Sequence, residues 1–465
     1  MKHASDQTMT NHMNALNPRL IAEVSKLADA DKREGVLDIL HKLHPADIAV
    51  LFSHLSPDEA KKALHWLPPE RGGDVLAELD DHFRARLLEN DDSDRISALL
   101  EELDSDDVAD VLADLPEETA QRVLPKLEDA QEVQQLLGYG EETAGGIMAA
   151  EYFVVLRRWS VEQVIEEIRH RADELPDLLE VFITDEAGRL EGTASLKSLL
   201  LTAADVLIGD IMRSKVVSVP THEDQEAVAR IMARYDLLVL PVVDGQGHLV
   251  GQITIDDVVD VIREEAEEDI QRMGGLSGDE EPTDSVWQMV RSRLPWLLGG
   301  LGGAGLAAMV VGSFDEALQQ AVILAGFIPI IMATAGNVGI QSSAVAVQGL
   351  ASGDILGGDI KRRLGKEMAV AMINGIAAAT AIALVILALS FITSIHEPAR
   401  LALTAGLALV SVILLAAVLG ATVPLVLHRL GVDPALATGP FITTSNDILG
   451  VLVFFQLATV LYLPW

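Results

Sequence analysis

The chain has 465 residues, no cysteine and a formal net charge of -36 at pH 7. The missing thiols exclude a disulfide framework, a thiolate metal site and a thiol nucleophile, and the acidity excludes nucleic acid as a partner, because phosphate would be repelled. The charge is unevenly placed, with 28 Lys+Arg and 62 Asp+Glu before residue 294 but only 6 and 8 in the 172 residues from Leu294 onward. A soluble domain carries roughly a quarter charged residues, so the last part is built for lipid.

Residues 1–17 carry no apolar run, which predicts a disordered start and no cleavable signal peptide, with the first 293 residues in the cytoplasm. From Pro18 to Leu137 a short helical pattern recurs. Its units open at His44-Pro45-Ala46-Asp47, Ser56-Pro57-Asp58-Glu59, Leu67-Pro68-Pro69-Glu70, Asp104-Ser105-Asp106-Asp107 and Leu115-Pro116-Glu117-Glu118. Proline suits the first helical position and acids favour the positive end of the helix dipole. Each unit is too short to bury its own apolar face, so the units must stack into an all-α superhelical N-domain.

Residues 138–262 hold two copies of one plan. The first runs Gly146-Ile147-Met148, strand Tyr152–Leu156, a helix from Ser160, strand Leu179–Thr184, a turn at Asp185–Arg189, and Gly192-Thr193-Ala194-Ser195 into a helix. The second runs Asp210-Ile211-Met212, strand Val216–Pro220, a helix from Asp224, strand Leu238–Val243, a turn at Asp244–His248, and Gly251-Gln252-Ile253-Thr254 into a helix. This repeat resembles a tandem pair of CBS domains, 138–200 and 201–262. Such pairs often bind adenosine nucleotides through Gly-x-x-Thr-x-x-Asp, matched here by Gly251, Thr254 and Asp257. The first copy has Ser198 where the aspartate would be, so any ATP site would be single, and a dimerising module with an empty cleft stands beside it as a reading. The helix predicted over Ile255–Met273 carries eight acids against Arg263 and Arg272. With the linker it forms a connecting segment, 263–293, between the CBS pair and the apolar part.

Five spans follow, approximately Leu294–Val311, Leu318–Leu350, Met368–Ile395, Ala399–Leu427 and Ala435–Leu463, each long enough for a hydrocarbon core of about 30 Å. The second is too long for a straight helix and Pro329 is the expected kink. Arg291, Arg293, Lys361, Arg362, Arg363, Lys366, His428 and Arg429 lie on one set of loops. That set and the N-terminus are therefore expected in the cytoplasm and Trp465 outside. Gly300-Leu301-Gly302-Gly303-Ala304-Gly305 matches a dinucleotide pattern, but it has no preceding strand and lies in a span, so close helix packing is expected instead.

Asp447 lies deep in the fifth span, where a carboxylate costs roughly 2.5–3.5 kcal/mol on insertion scales and usually faces a pore or a partner. Thr443, Thr444, Ser445 and Asn446 beside it all bear oxygen. The second span offers Asn337, Gln341, Ser342 and Ser343. Hard oxygen ligands without Cys or His select Mg2+ or Ca2+, and Mg2+ suits few carboxylates because it sheds water reluctantly. No nucleophile–base pair, catalytic metal motif or phosphate loop points to an enzyme.

Taken together, Pro329 with Gly336-Asn337-x-Gly339-x-Gln341, Gly431-Val432-Asp433-Pro434-Ala435 and Gly439-Pro440-Phe441-Ile442-Thr443-Thr444-x-Asn446-Asp447 resemble the MgtE family of bacterial magnesium channels over residues 18–465. The implied fold is a multidomain membrane protein. It has an all-α superhelical N-domain (18–137), α/β tandem CBS domains, an acidic "plug" helix and a five-helix transmembrane domain (294–465). The resemblance implies a homodimer in membrane lipid, with Asp447 coordinating hydrated Mg2+ in the pore near Asn337, Gln341 and Asn446. It also implies that cytosolic Mg2+ closes the pore by bridging acids. The matching positions are Asp106 or Asp107, Asp224, Asp236, Asp257, Asp260, Glu265, Glu268 and Asp269. Ile340 departs from the pattern, since many relatives place a second asparagine there. A transporter for Mn2+ or Co2+, and a non-transporting divalent or nucleotide sensor, are the competing functions.

Overall fold

The computed structural model describes residues 18–89, 91–171, 178–278, 280, 284–352 and 360–463. The expected disordered start and Trp465 lie outside these. The chain divides into two compact units, Met1–Arg263 and Glu264–Trp465.

Among the described residues the first unit opens with ten short helices: α1 Pro18–Asp29, α2 Arg33–Leu40, α3 Pro45–Ser53, α4 Pro57–Trp66, α5 Pro69–Ala77, α6 Asp81–Leu88, α7 Ser93–Leu100, α8 Ser105–Asp114, α9 Glu117–Val123 and α10 Ala130–Leu136. The Pro- and Asp-headed motifs open α3, α4, α5, α8 and α9 as expected, and Ser56 and Glu59 form a capping box at α4. From α3 onward each helix packs on the second one after it, the pattern of a superhelical stack in which no helix has a core of its own.

The repeat that follows gives two three-stranded sheets. In the first, β1 (Val154–Leu156) pairs parallel with β2 (Glu180–Thr184), which pairs antiparallel with β3 (Leu190–Ser195). In the second, β4 (Val219–Pro220), β5 (Val239–Val243) and β6 (Leu249–Thr254) repeat that order. Helices α11 (Val161–His170), α12 (Leu196–Leu201), α13 (Ile208–Ile211) and α14 (Gln225–Tyr235) complete the pair. The copies exchange their leading segments. A Cβ on Gly192 would meet the Met212 sulfur at 2.7 Å, and one on Gly251 the Met148 sulfur at 2.6 Å. The second copy shares one continuous core with the helical stack, from Val24 to Val261, whereas the first copy has a core of its own around Phe153, Val181 and Ile183.

Helix α15, Ile255–Gly274, is a single element that begins as the last helix of the second CBS copy and continues through the acidic run. In the second unit, α16 (Val286–Gly312), α17 (Asp315–Gln320), α18 (Ile328–Ala351), α19 (Ile360–Leu389), α20 (Pro398–Arg429) and α21 (Gly439–Leu461) follow. Among the described residues, five segments are long and apolar enough to cross a membrane. Several boundaries differ from the sequence expectation, the third span running Ile360–Leu389 rather than Met368–Ile395 and the fifth Gly439–Leu461 rather than Ala435–Leu463. The first span starts at Val286, because Ser285 and Gln288 cap polar turns that hydropathy does not register. The second is not a long helix kinked at Pro329. A 3-10 turn, Val322–Phe327, precedes it, and Pro329 sits in the first turn of α18. There proline's missing N–H has no helical acceptor to lose and its fixed φ favours a start rather than a bend. Helix α20 packs against α18, α19 and α21. Its buried face is mostly Ala, Gly, Leu and Val, small enough for close approach in lipid.

Candidate ion site and acidic cluster

Three glycines set the close approach around the first turns of α21. A Cβ on Gly303 of α16 would lie 1.9 Å from Thr444 Cγ2. One on Gly339 of α18 would lie 2.0 Å from Asn446 Nδ2, and one on Gly420 of α20 would lie 2.5 Å from the Gly339 carbonyl oxygen. The glycine-rich run in α16 therefore serves helix packing at Gly303, while Gly300, Gly302 and Gly305 face open space within the chain. Held in this seam, Asn446 is buried and donates from Nδ2 to the Ala335 carbonyl at 3.2 Å, leaving Oδ1 without a partner among the described residues. Asn446 is thus a packing group within one chain. Asp447, one residue on and turned about 100° around the helix, is half-buried and has no hydrogen-bond or ion-pair partner among the described residues. Asn337 and Gln341 lie one turn apart on α18 and are both exposed.

In the first unit, α8 carries Asp106, Asp107, Asp110 and Asp114. Its start is tied to the segment before β1: Ser105 Oγ donates to Glu151 Oε2 at 2.8 Å and accepts from Ala150 N–H at 2.8 Å. Burial, and then the charges of Asp257, Asp107 and Asp104, push Asp106 well above the usual carboxylate range. Burial, followed by Asp257 and Asp104, pushes Asp107 up to about 7. Asp257 itself is pushed up to about 6, chiefly by burial and against the hydrogen bond from Thr254. The structure therefore gathers Asp106, Asp107 and Asp257 with Asp104, which sequence reading did not single out. At the far side of α8, buried Arg84 neutralises Asp114 (2.6 Å) and Asp81 (2.8 Å). Asp224 and Asp236 flank opposite ends of α14, about 18 Å apart at 1.5 Å per residue. They cannot share an ion within one chain. Among the described residues no three His, Cys, Asp or Glu side chains are arranged to hold a metal ion directly.

On α15, Asp260 pairs with Arg263 at 3.1 Å, and Glu265, Glu268 and Asp269 are half-buried. The end of this helix is the site that sequence reading missed. Arg272 forms ion pairs with both Glu268 and Asp433, and Asp433 also accepts from Ala435 N–H at 2.8 Å. A Cβ on Gly275, whose φ is +81°, would meet Pro440 at 2.7 Å, and one on Gly439 would meet the Met273 carbonyl oxygen at 2.6 Å. The signals available were a lone arginine in the last turn of an acidic helix and the Asp-Pro of the α20–α21 connection.

In the second CBS copy, Thr254 donates to Asp257 Oδ2 from its hydroxyl (2.6 Å) and its N–H (3.2 Å), and Gly251 is closed by Met148. In the first copy the equivalent pair bonds the other way and without the charge, Ser198 donating from its N–H to Ser195 Oγ (3.3 Å) and from its hydroxyl to the Ser195 carbonyl (2.7 Å).

A polytopic membrane protein with a carboxylate in its last span that has no partner among the described residues, joined through an acidic helix to a CBS pair, is the architecture of an ion transporter. The model of a divalent cation transporter matches residues 328–457, that of an MgtE intracellular N domain 43–142, and that of a CBS domain 208–264. The "Magnesium transporter MgtE" of Thermus thermophilus is 34% identical over 458 residues, covering 94% of this chain and 96% of its own. The protein of that name from Bacillus subtilis is 29% identical, covering 96% and 98%. The chain belongs to the MgtE family of magnesium transporters. Among solved structures, the cytosolic domain of the Mg2+ channel MgtE in complex with ATP is 35% identical. It covers 52% of this chain and 99% of its own, with a TM-score of 0.49.

Proposed function

We propose that the chain is a homodimeric Mg2+ channel for uptake across the cytoplasmic membrane, closed by Mg2+ bound at the acidic surfaces of its cytoplasmic half. Asp447 carries the reading. A half-buried carboxylate in a membrane span must be compensated by a proton, a cation or water, and no side chain among the described residues supplies a charge. One carboxylate per chain, in a hard-oxygen setting, suits an ion that keeps most of its hydration shell. Asn337 and Gln341, exposed on α18, are the further pore-facing groups in this reading, and two copies about a dyad would bring both sets to one path. The N-terminus and the basic loops are cytoplasmic and the C-terminus external.

For closure, the Asp106–Asp107–Asp257 cluster is the primary sensor site, because its acids are half-buried together and, among the described residues, no ion pair balances them. Asp224, Asp236, Asp260, Glu265, Glu268 and Asp269 complete the sensing surface only across elements that move or across the dimer. A divalent ion that binds one arrangement better than the other shifts the population toward it. The functional units are residues 18–137, 138–200, 201–262, 263–293 and 294–465, with the junction at 262–263 falling inside α15. Adenosine nucleotide at Gly251, Thr254 and Asp257 is a secondary input, in which the Thr254–Asp257 pair would turn from each other to the ribose.

The test is Mg2+ flux in proteoliposomes with internal Mg2+ varied. Asp447→Asn is expected to abolish uptake while leaving membrane protein levels normal; undiminished uptake would sink the pore assignment. Neutralising Asp106, Asp107 and Asp257 together is expected to leave flux high at internal Mg2+ that silences the parent protein. Unchanged inhibition removes the sensor assignment alone.

A further inference from the structure

The first turn and a half of α19 concentrates positive charge in a chain otherwise short of it. Four of the six Lys and Arg residues after Leu294 fall within six positions, Lys361, Arg362, Arg363 and Lys366. Their fates differ. Arg363 is turned inward and donates to the Val345 carbonyl of α18. Glu367, the nearest acid on the helix, is turned to α18 as well, where it accepts from Ser342 Oγ at 3.1 Å. Lys361, Arg362 and Lys366 are exposed, and among the described residues none has an ion pair. Among the described residues, the nearest carboxylate on the helix is thus engaged elsewhere.

At 100° per residue, Arg362 and Lys366 head one face of α19 that continues through Ala369, Ile373, Ile376, Thr380 and Leu384. That face is open, with Ile373 68% and Leu384 63% exposed. From Lys366 to Ile376 is ten residues, about 15 Å, which is half of a hydrocarbon core of about 30 Å. A cationic head above an apolar stripe one leaflet deep is the complement of an anionic phospholipid, phosphate upward and acyl chain along the helix. A second copy of the chain fits this face poorly, because an isologous contact centred there would set Arg362 and Lys366 against their own copies. We infer that this face of α19 is a binding site for an anionic phospholipid headgroup, held by Arg362 and Lys366 with Lys361 at its rim.

The probe is spin-labelled phosphatidylglycerol against phosphatidylcholine of identical chains, in vesicles containing the full chain. The readout is the motionally restricted fraction of each lipid. The parent protein is expected to prefer phosphatidylglycerol by about three- to tenfold at low salt, since juxtamembrane basic residues each add modest, screenable attraction. Arg362→Gln/Lys366→Gln is expected to remove most of that preference. The charge-conserving swap Arg362→Lys/Lys366→Arg is expected to keep it, which separates lost charge from a damaged fold. Retention of the preference in the neutral double variant, or its loss in the swap, overturns the site. Displacement of the label by millimolar glycerol phosphate would reassign the site to a free anion, and a change in oligomeric state in the neutral variant would reassign the face to a second copy. Either result overturns the lipid.

Discussion

Mg2+ binding at the acidic cluster is expected to expel protons. Asp107 is pushed up to about 7 and Asp257 to about 6, with Asp106 well above its ordinary range, all chiefly through burial. At pH 7 a group with pKa 7 holds about half a proton and one with pKa 6 about a tenth, and Asp106, raised well above its ordinary range by burial, adds to that. A cation that draws these acids into their carboxylate form therefore displaces at least about half a proton at pH 7 from Asp107 and Asp257, and at least about one and a half at pH 6. Titrating the full-length protein with MgCl2 in two buffers of different ionisation enthalpy measures that number, and apparent affinity is expected to weaken as pH falls from 8 to 6. The sign for stability follows from the same raised values. Without Mg2+ the contribution of these three acids to the stability of the first unit is fully present below the unfolded carboxylate range, and it is lost as pH rises through 6 and 7. Mg2+ is accordingly expected to raise the melting temperature more at pH 8 than at pH 5.5. Asp107→Asn is expected to lower the proton count at pH 7 by about one half. Buffer-independent heats together with a pH-independent affinity would refute the reasoning.

Gly339→Ala places a Cβ 2.0 Å from Asn446 Nδ2 and 2.6 Å from Ile442 Cγ2, an overpacking that costs about 1–3 kcal/mol. It is expected to lower the melting temperature and the Mg2+ flux together, and an unchanged flux would show that this seam does not position Asp447. Arg272→Gln removes both ion pairs at the end of α15. The internal Mg2+ needed for half-closure is expected to rise about three- to tenfold in the flux assay, in line with two partly buried pairs. Arg84→Met leaves Asp114 and Asp81 without their cation beside α8. The cost is expected to be about 3–5 kcal/mol, read as a lowered thermal midpoint that Mg2+ partly restores.

Much of the fold was legible because its signals are local. Pro45, Pro57 and Pro69 sit in the first turn of their helices and Asp224 caps α14, since each acts on its own backbone within three residues. The two CBS copies were legible as a repeated order of strand, helix, strand and turn. Pro329 was misjudged for the opposite reason. Hydropathy cannot separate a 3-10 approach from a helix when both are apolar, so the proline read as a kink in a long span. The site was harder to read. Thr443 to Asp447 all bear oxygen, and only the Gly339–Asn446 approach shows that Asn446 packs inward while its neighbour stays open. The grouping of Asp106 and Asp107 with Asp257, and of Arg272 with Asp433, joins residues 150 or more positions apart. No spacing rule reaches that far.

The arrangement at the end of α15 bears on how a sensor of this kind could act on a pore. Met273 and Gly275 lie against Gly439 and Pro440, which form the first turn of the helix that carries Asp447. From Gly439 to Asp447 is eight residues, about 12 Å of helix. That turn has no room to absorb a displacement, because Gly303, Gly339 and Gly420 already bring their neighbours to contacts that a single added carbon would violate. Close-packed seams of this sort respond by switching between arrangements rather than by yielding gradually. Under the proposed gating, the work of closure is thus done where Arg272 holds Glu268 and Asp433 together. Divalent ions further along α15 need only bias a contact that the chain's own guanidinium has already made. On this account Arg272 sets the Mg2+ threshold rather than the ability to close, so Arg272→Gln is expected to shift the inhibition curve without flattening it. A curve of lower maximal inhibition would place the coupling elsewhere.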